Sequence, residues 1–182
     1  MNVYDTDFVG VKIIEPKVFV DKRGYFSETF KESEFQEKVC NTNFVQDNES
    51  KSDYGVLRGL HYQVAPFAQA KLVRVISGRV LDVIVDLRKS SSTFGKHYEI
   101  ELSEDNKKQL FIPRGFAHGY IVLSKEAVLC YKVDNEYSPN HEASIIYNDD
   151  FLDIDWGVKE EDIILSDKDS LGKSFKESIV FS

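Results

Sequence analysis

In GVLRGLHYQ, residues 55–63, Arg58 and His61 interrupt what Val56, Leu57, Leu60 and Tyr62 would otherwise make a buried strand. A histidine moves protons near neutral pH, and an arginine presents a forked cation to phosphate or carboxylate. Strict alternation along a strand sends the two to opposite faces, but a bulge at Gly59 brings both to one side. The segment is therefore expected to line a polar pocket inside a barrel. His118, in IPRGFAHGY, sits in a similar setting of glycine and apolar residues. Taken alone, either histidine reads equally well as a hydrogen-bonded core residue. Barrel metal sites often combine an HxH pair with a later Glu and His; here His61 is followed by Tyr62 and Gln63, so that pair is absent. No metal is expected, which leaves His61 free for proton transfer.

The elements that must hold these residues are mostly strands. VKIIEPKVFV, 11–20, reads as strand broken at Glu15-Pro16, because proline removes a ladder donor. DKRG, 21–24, reads as a turn. KESEFQEKVC, 31–40, is the clearest helix, with Phe35 and Val39 four apart on an otherwise polar segment. KLVRVISGRVLDVIVDLR, 71–88, reads as a hairpin turning at Ser77-Gly78. In its second arm Leu81, Val83, Val85 and Leu87 are expected to face a core, with Val80, Asp82, Ile84 and Asp86 on the other side. Strand-like runs follow at 97–102, 109–112, 119–123, 127–133 and 142–147, and from Trp156 onward a loop-rich cap is expected. No helix alternates with these strands, so the expected fold is mainly β, a barrel or sandwich of antiparallel strands with few helices.

With 182 residues the chain is expected to form a single domain, 1–182. Its hydrophobic fraction of 42% and charged fraction of 30% are those of a soluble globular chain, and 13% aromatic residues lean toward sheet. A formal net charge of −8 argues against a general nucleic-acid or anionic-membrane surface, so an anionic ligand needs a local basic pocket. Cys40 and Cys130 follow no CxxC spacing. The N-terminus carries acids and no apolar core of a signal, and no stretch approaches a membrane span. A cytoplasmic protein is expected.

DKRGYFSETF, VQDNES, GVLRGLHYQ, KLVRVISGRVLDVIVDLRKSSSTFG, IPRGFAHGY, YKVDNEYSP, NDDFLDIDW and LSDKD occur in this order. Together they resemble the dTDP-4-dehydrorhamnose 3,5-epimerase family over nearly the whole chain. The resemblance implies a cupin-type jelly roll, a homodimer, and no metal or organic cofactor. It also implies dTDP-4-dehydro-6-deoxy-D-glucose as substrate, on a route to dTDP-L-rhamnose and so to surface polysaccharide or another deoxysugar product. By the same resemblance His61 matches the general base, Asp169 in LSDKD the carboxylate behind it, Tyr131 the general acid and Lys71 the cation near the keto oxygen. Arg23, Glu28, Gln46, Asp47, Asn48, Arg58, His118, Glu142 and Lys168 match positions that bind the nucleotide sugar, as does the pocket aromatic Tyr137. Phe26, with Tyr137, is expected to offer a flat surface to base or sugar. Ala70 departs from the glycine usual before the lysine.

The chemistry asks for such a set. Inverting a carbon beside a ketone removes its proton, leaves the electron pair on an enolate oxygen, and returns a proton to the opposite face. If the acceleration is at least ~10⁶, a positioned base supplying ~10²–10⁴ falls short, and stabilising the oxyanion must add the rest. Each residue also has an ordinary reading. Tyr131 alone is a core aromatic, Lys71 a solvated strand-edge lysine, Asp169 a surface-turn carboxylate and Arg23 an exposed turn charge. A related 4-keto-sugar mono-epimerase, a noncatalytic nucleotide-sugar binding module and a metal-dependent oxygenase are the competing functions.

Overall fold

The computed structural model describes residues 1–182. Thirteen strands run β1 (Asn2–Asp5), β2 (Lys12–Glu15), β3 (Val18–Asp21), β4 (Gly24–Ser27), β5 (Gln46–Asp53), β6 (Leu57–Gln63), β7 (Lys71–Ser77), β8 (Arg79–Asp86), β9 (His97–Ser103), β10 (Gln109–Ile112), β11 (Phe116–Val122), β12 (Glu126–Val133) and β13 (Glu142–Ser144). One α-helix, α1 (Glu32–Lys38), follows β4. Every strand-to-strand ladder is antiparallel. A six-stranded sheet of order β1-β2-β10-β7-β12-β5 faces a five-stranded sheet of order β13-β6-β11-β8-β9, and β3 and β4 form a separate hairpin. This is a jelly-roll barrel of two sheets. No helix is long and apolar enough to cross a membrane.

β7 and β8 do not form the hairpin that Ser77-Gly78 suggests. β7 pairs with β10 and β12, and β8 with β11 and β9. Gly78 is the corner at which the chain leaves one sheet for the other. Its φ is +78°, and a Cβ there would fall 2.1 Å from the carbonyl oxygen of Glu126. A two-residue turn and a sheet-to-sheet corner make the same demand for positive φ, so the local sequence does not separate them.

Both faces of β8 are buried. Val80 and Ile84 belong to the core between the sheets, with Val73, Leu110, Phe116 and Leu129. Val83, Val85 and Leu87 pack under the outer cover, against Leu152, Trp156 and Phe175. The set expected to face a core does so, and that core is the one under the C-terminal cap, while Asp82 on the opposite face is directed into the barrel. The cap is the expected loop-rich segment; Trp156 anchors it by donating from Nε1 to the carbonyl oxygen of Tyr147 (2.9 Å). Phe35 of α1 closes a third cluster with Ile14, Leu72 and Phe111.

Candidate active site

Along β6 the ladder to β11 pairs His61 with His118 and Arg58 with Tyr120, so Gly59 and Leu60 on one strand stand against the single Gly119 on the other. That extra residue is the bulge expected at Gly59, and it sets Arg58 and His61 on the same wall of one cavity. The bulge depends on two glycines meeting. Gly59 has φ +125°, and a Cβ on it would lie 2.5 Å from Cα of Gly119.

The cavity is about 440 Å³ and lies between the two sheets. His61 and His118 come from the five-stranded sheet, and Tyr131 and Lys71 from the facing one. Nε2 of His61 is 2.6 Å from Oδ1 of Asp169, a charge-pairing distance without the alignment of a hydrogen bond. Burial alone would raise the Asp169 carboxyl, but His61 and the hydroxyl of Ser166 hold it below its ordinary value. Asp169 therefore remains a carboxylate at neutral pH and presents a negative charge to the facing imidazole.

Lys71 is buried, and its Nζ reaches across to the backbone oxygen of His61 at 3.5 Å, while standing 5.9 Å from the ring centroid of Tyr131. Burial lowers its pKa to about 8, opposed by the charges of Asp82 and Glu142. At neutral pH it is an ammonium with few protein partners, suited to a developing oxyanion. Burial, with Tyr120 and Glu142 nearby, raises the Tyr131 phenol, so it keeps its proton. Burial depresses His118 despite the carboxylate of Asp82, whose Oδ2 lies 2.9 Å from its Nε2, so His118 tends to stay neutral.

The rim carries further polar groups. Glu142 accepts from Tyr137 Oη (2.7 Å) and pairs with Lys168 Nζ (2.5 Å). Burial works against its ionisation, but these two donors keep it below the ordinary glutamate range. Gln46 accepts from the backbone N–H of Tyr137 and donates to Asn48. On β5, Gln46, Asn48 and Ser50 turn inward while Asp47 turns outward by the period of two. Asp47 pairs there with Lys132 beside a separate hollow of about 410 Å³.

His61, Tyr131, Asp169, Lys71, Asn48, Arg58, His118, Tyr137, Glu142 and Lys168 thus share one cavity. Gln46 supports it from behind, and Asp47 stands outside it. Arg23, Phe26 and Glu28 also lie outside: Arg23 has an 84% exposed side chain paired with Asp21, and Phe26 is 68% exposed on the β3–β4 hairpin. Sequence reasoning missed Asp82, Gln63, Gln69 and Ser166. Asp82 offered a signal, a charge inside a β-branched run. Gln63 joins two loops, donating to the carbonyls of Phe67 (2.7 Å) and Glu136 (3.1 Å) and accepting from Ser138 N–H (2.6 Å).

Fold and cavity together define a class: antiparallel jelly-roll barrels of the cupin type with acid–base side chains in the barrel mouth. Residues 5–177 match the family model described as dTDP-4-dehydrorhamnose 3,5-epimerase. The chain is 52% identical over 182 residues to the dTDP-4-dehydrorhamnose 3,5-epimerase of Shigella flexneri, covering 100% of this chain and 99% of that one. The crystal structure of the enzyme of that name from Elizabethkingia anophelis superposes with a TM-score of 0.93 at 54% identity, covering 97% of each chain. The dTDP-6-deoxy-D-glucose-3,5-epimerase of Legionella pneumophila, solved with dTDP-4-keto-L-rhamnose, gives 0.93 at 46% identity, covering 97% of this chain and 93% of that one. This chain belongs to the dTDP-4-dehydrorhamnose 3,5-epimerase family.

Proposed function

We propose that this protein is a 3,5-epimerase that converts dTDP-4-dehydro-6-deoxy-D-glucose to dTDP-4-dehydro-L-rhamnose in the cytoplasm, as a single 182-residue domain without a cofactor. One observation carries the reading. A carboxylate-backed imidazole and a protonated phenol stand on facing sheets of one cavity, with a buried ammonium reaching between them.

Neutral His61 takes the proton from the carbon beside the ketone, and the C–H electron pair moves onto the keto oxygen. Asp169 stabilises the imidazolium formed, and Lys71 stabilises the enolate oxygen. Tyr131 returns a proton to the opposite face of the ring, which inverts the carbon; water then takes the proton from His61 and resupplies Tyr131, and a second cycle inverts the other carbon. Arg58 and Lys168 supply cations for the diphosphate on a chain of net −8, while Asn48, His118, Tyr137 and Glu142, with Gln46 behind them, hold the sugar and base.

The same reading includes a homodimer. Val20, Tyr25 and Phe26 leave the β3–β4 hairpin with exposed apolar surface, and Arg23 stands at its tip. A hairpin so exposed is better accommodated against a second copy, where Arg23, Phe26 and Glu28 would complete the neighbouring cavity.

Proton NMR of dTDP-4-dehydro-6-deoxy-D-glucose in D₂O with the protein tests the function. Loss of both the C3 and C5 proton signals, with L-rhamnose formed after reduction, is expected. Exchange at a single carbon would replace the proposal with a mono-epimerase, and bound dTDP without exchange would reduce it to a binding module.

A further inference from the structure

Ser166 opens the turn that carries Asp169, and its hydroxyl meets that residue twice. Oγ donates to Oδ2 of Asp169 at 2.7 Å and accepts from the backbone N–H of the same residue at 3.2 Å. The other carboxylate oxygen, Oδ1, faces Nε2 of His61 at 2.6 Å and receives one long contact from Gly59 N–H at 3.4 Å. Each carboxylate oxygen thus has its own principal partner, and only Ser166 fixes both the carboxylate and the backbone that bears it.

A carboxylate on a short turn is free to rotate about its terminal torsion unless both oxygens are engaged. The contact that matters most to His61 is short but poorly aligned, so it fixes the direction of the Asp169 carboxylate less firmly than the Ser166 hydroxyl does. A competing cation is close by, since Lys168 precedes Asp169 and its ammonium contributes to the field there. The other charged and titratable groups acting on His61 are Glu142, Lys71, through the His61 backbone oxygen, and His118. None of these hydrogen-bonds to the Asp169 carboxylate.

We infer that Ser166 is a positioning residue for proton transfer: its hydroxyl locks the Asp169 carboxylate toward His61 and so sets the strength of the base. The inference rests on the proposed epimerase chemistry, in which His61 removes the proton. Without the hydroxyl, Oδ1 turns away, the imidazolium loses its adjacent negative charge, and His61 becomes a weaker base.

The test compares wild type, Ser166→Ala and Ser166→Thr. The first readout needs no substrate: the His61 ring signals are titrated by NMR, assigned by their loss in His61→Asn. The ring should titrate at lower pH in Ser166→Ala than in wild type, and Ser166→Thr should restore it. The second readout is deuterium incorporation into the nucleotide sugar. It should slow about three- to tenfold in kcat for Ser166→Ala with KM unchanged, a loss in the range of a single hydrogen bond, and recover in Ser166→Thr. An unmoved titration with unchanged exchange would overturn the inference. A titration moved to higher pH would also overturn it, because the hydroxyl would then only drain charge from a carboxylate that stays in place. Failure of the wild type to exchange any proton would sink the epimerase reading, while the titration still decides the role of Ser166.

Discussion

The ammonium of Lys71, on the six-stranded sheet, lies 3.5 Å from the backbone oxygen of His61 on the facing sheet. The cation is thereby held beside His61, the position that the proposed function gives to the oxygen of a 4-keto sugar. Burial brings its pKa down to about 8, so the ammonium persists below that pH and is lost above it. The pH profile of kcat/KM should therefore fall above about pH 8, approaching tenfold per unit. Lys71→Gln should lower kcat by ~10²–10³ and remove that limb. A profile flat to pH 10 would contradict the assignment.

Tyr131 differs from His61 in what its loss should do. In Tyr131→Phe the base can still remove a proton and return a deuteron on its own face, while the opposite face has no donor. Inversion should fall by ~10²–10⁴ while deuterium still enters the sugar. NMR of the recovered substrate separates the two. Equal loss of exchange and inversion would make Tyr131 a binding residue only.

Arg23 and His61 should complement each other across subunits. A heterodimer of Arg23→Ala and His61→Asn chains keeps one cavity with an intact His61 and the other chain's Arg23. Random refolding of an equal mixture makes about half of the dimers heterodimers, each with one intact cavity, so roughly a quarter of wild-type activity should return although each parent is weak. Size-exclusion chromatography should show a dimer. Absence of recovery in mixed dimers would place Arg23 within its own chain's site.

Gly59→Ala should be costly. The added Cβ would meet the Gly119 backbone at 2.5 Å in a conformation with φ +125°. A loss of about 2–4 kcal/mol in urea unfolding is expected, from strain and a shifted strand pair. Retention of full stability with Arg58 and His61 still active would show that the bulge tolerates a side chain.

That bulge was legible in the sequence because Gly59 sits between two polar residues that only a slip in alternation could reconcile. The strands of 97–102, 109–112 and 127–133 were legible for the ordinary reason, β-branched and apolar runs between turn residues. β5 was not, because QDNESKSD is polar on both faces and its inward face meets a wet cavity rather than a core. The corner at Gly78 reads as a hairpin turn in the sequence because the pairing partners of β7 and β8 lie far away along the chain. His61, Lys71 and Tyr131 are named by the motifs that carry the family resemblance, and the fold brings them to one cavity. Ser166 and Gln63 are not so named, since each acts through a contact that forms only when distant loops meet.

The most direct measurement is deuterium incorporation at C3 and C5 of dTDP-4-dehydro-6-deoxy-D-glucose by wild type and His61→Asn, with dTDP binding measured in both. The account predicts exchange at both carbons with wild type, none with the variant, and similar dTDP affinity. Exchange persisting in His61→Asn at the wild-type rate would show that another group removes the proton.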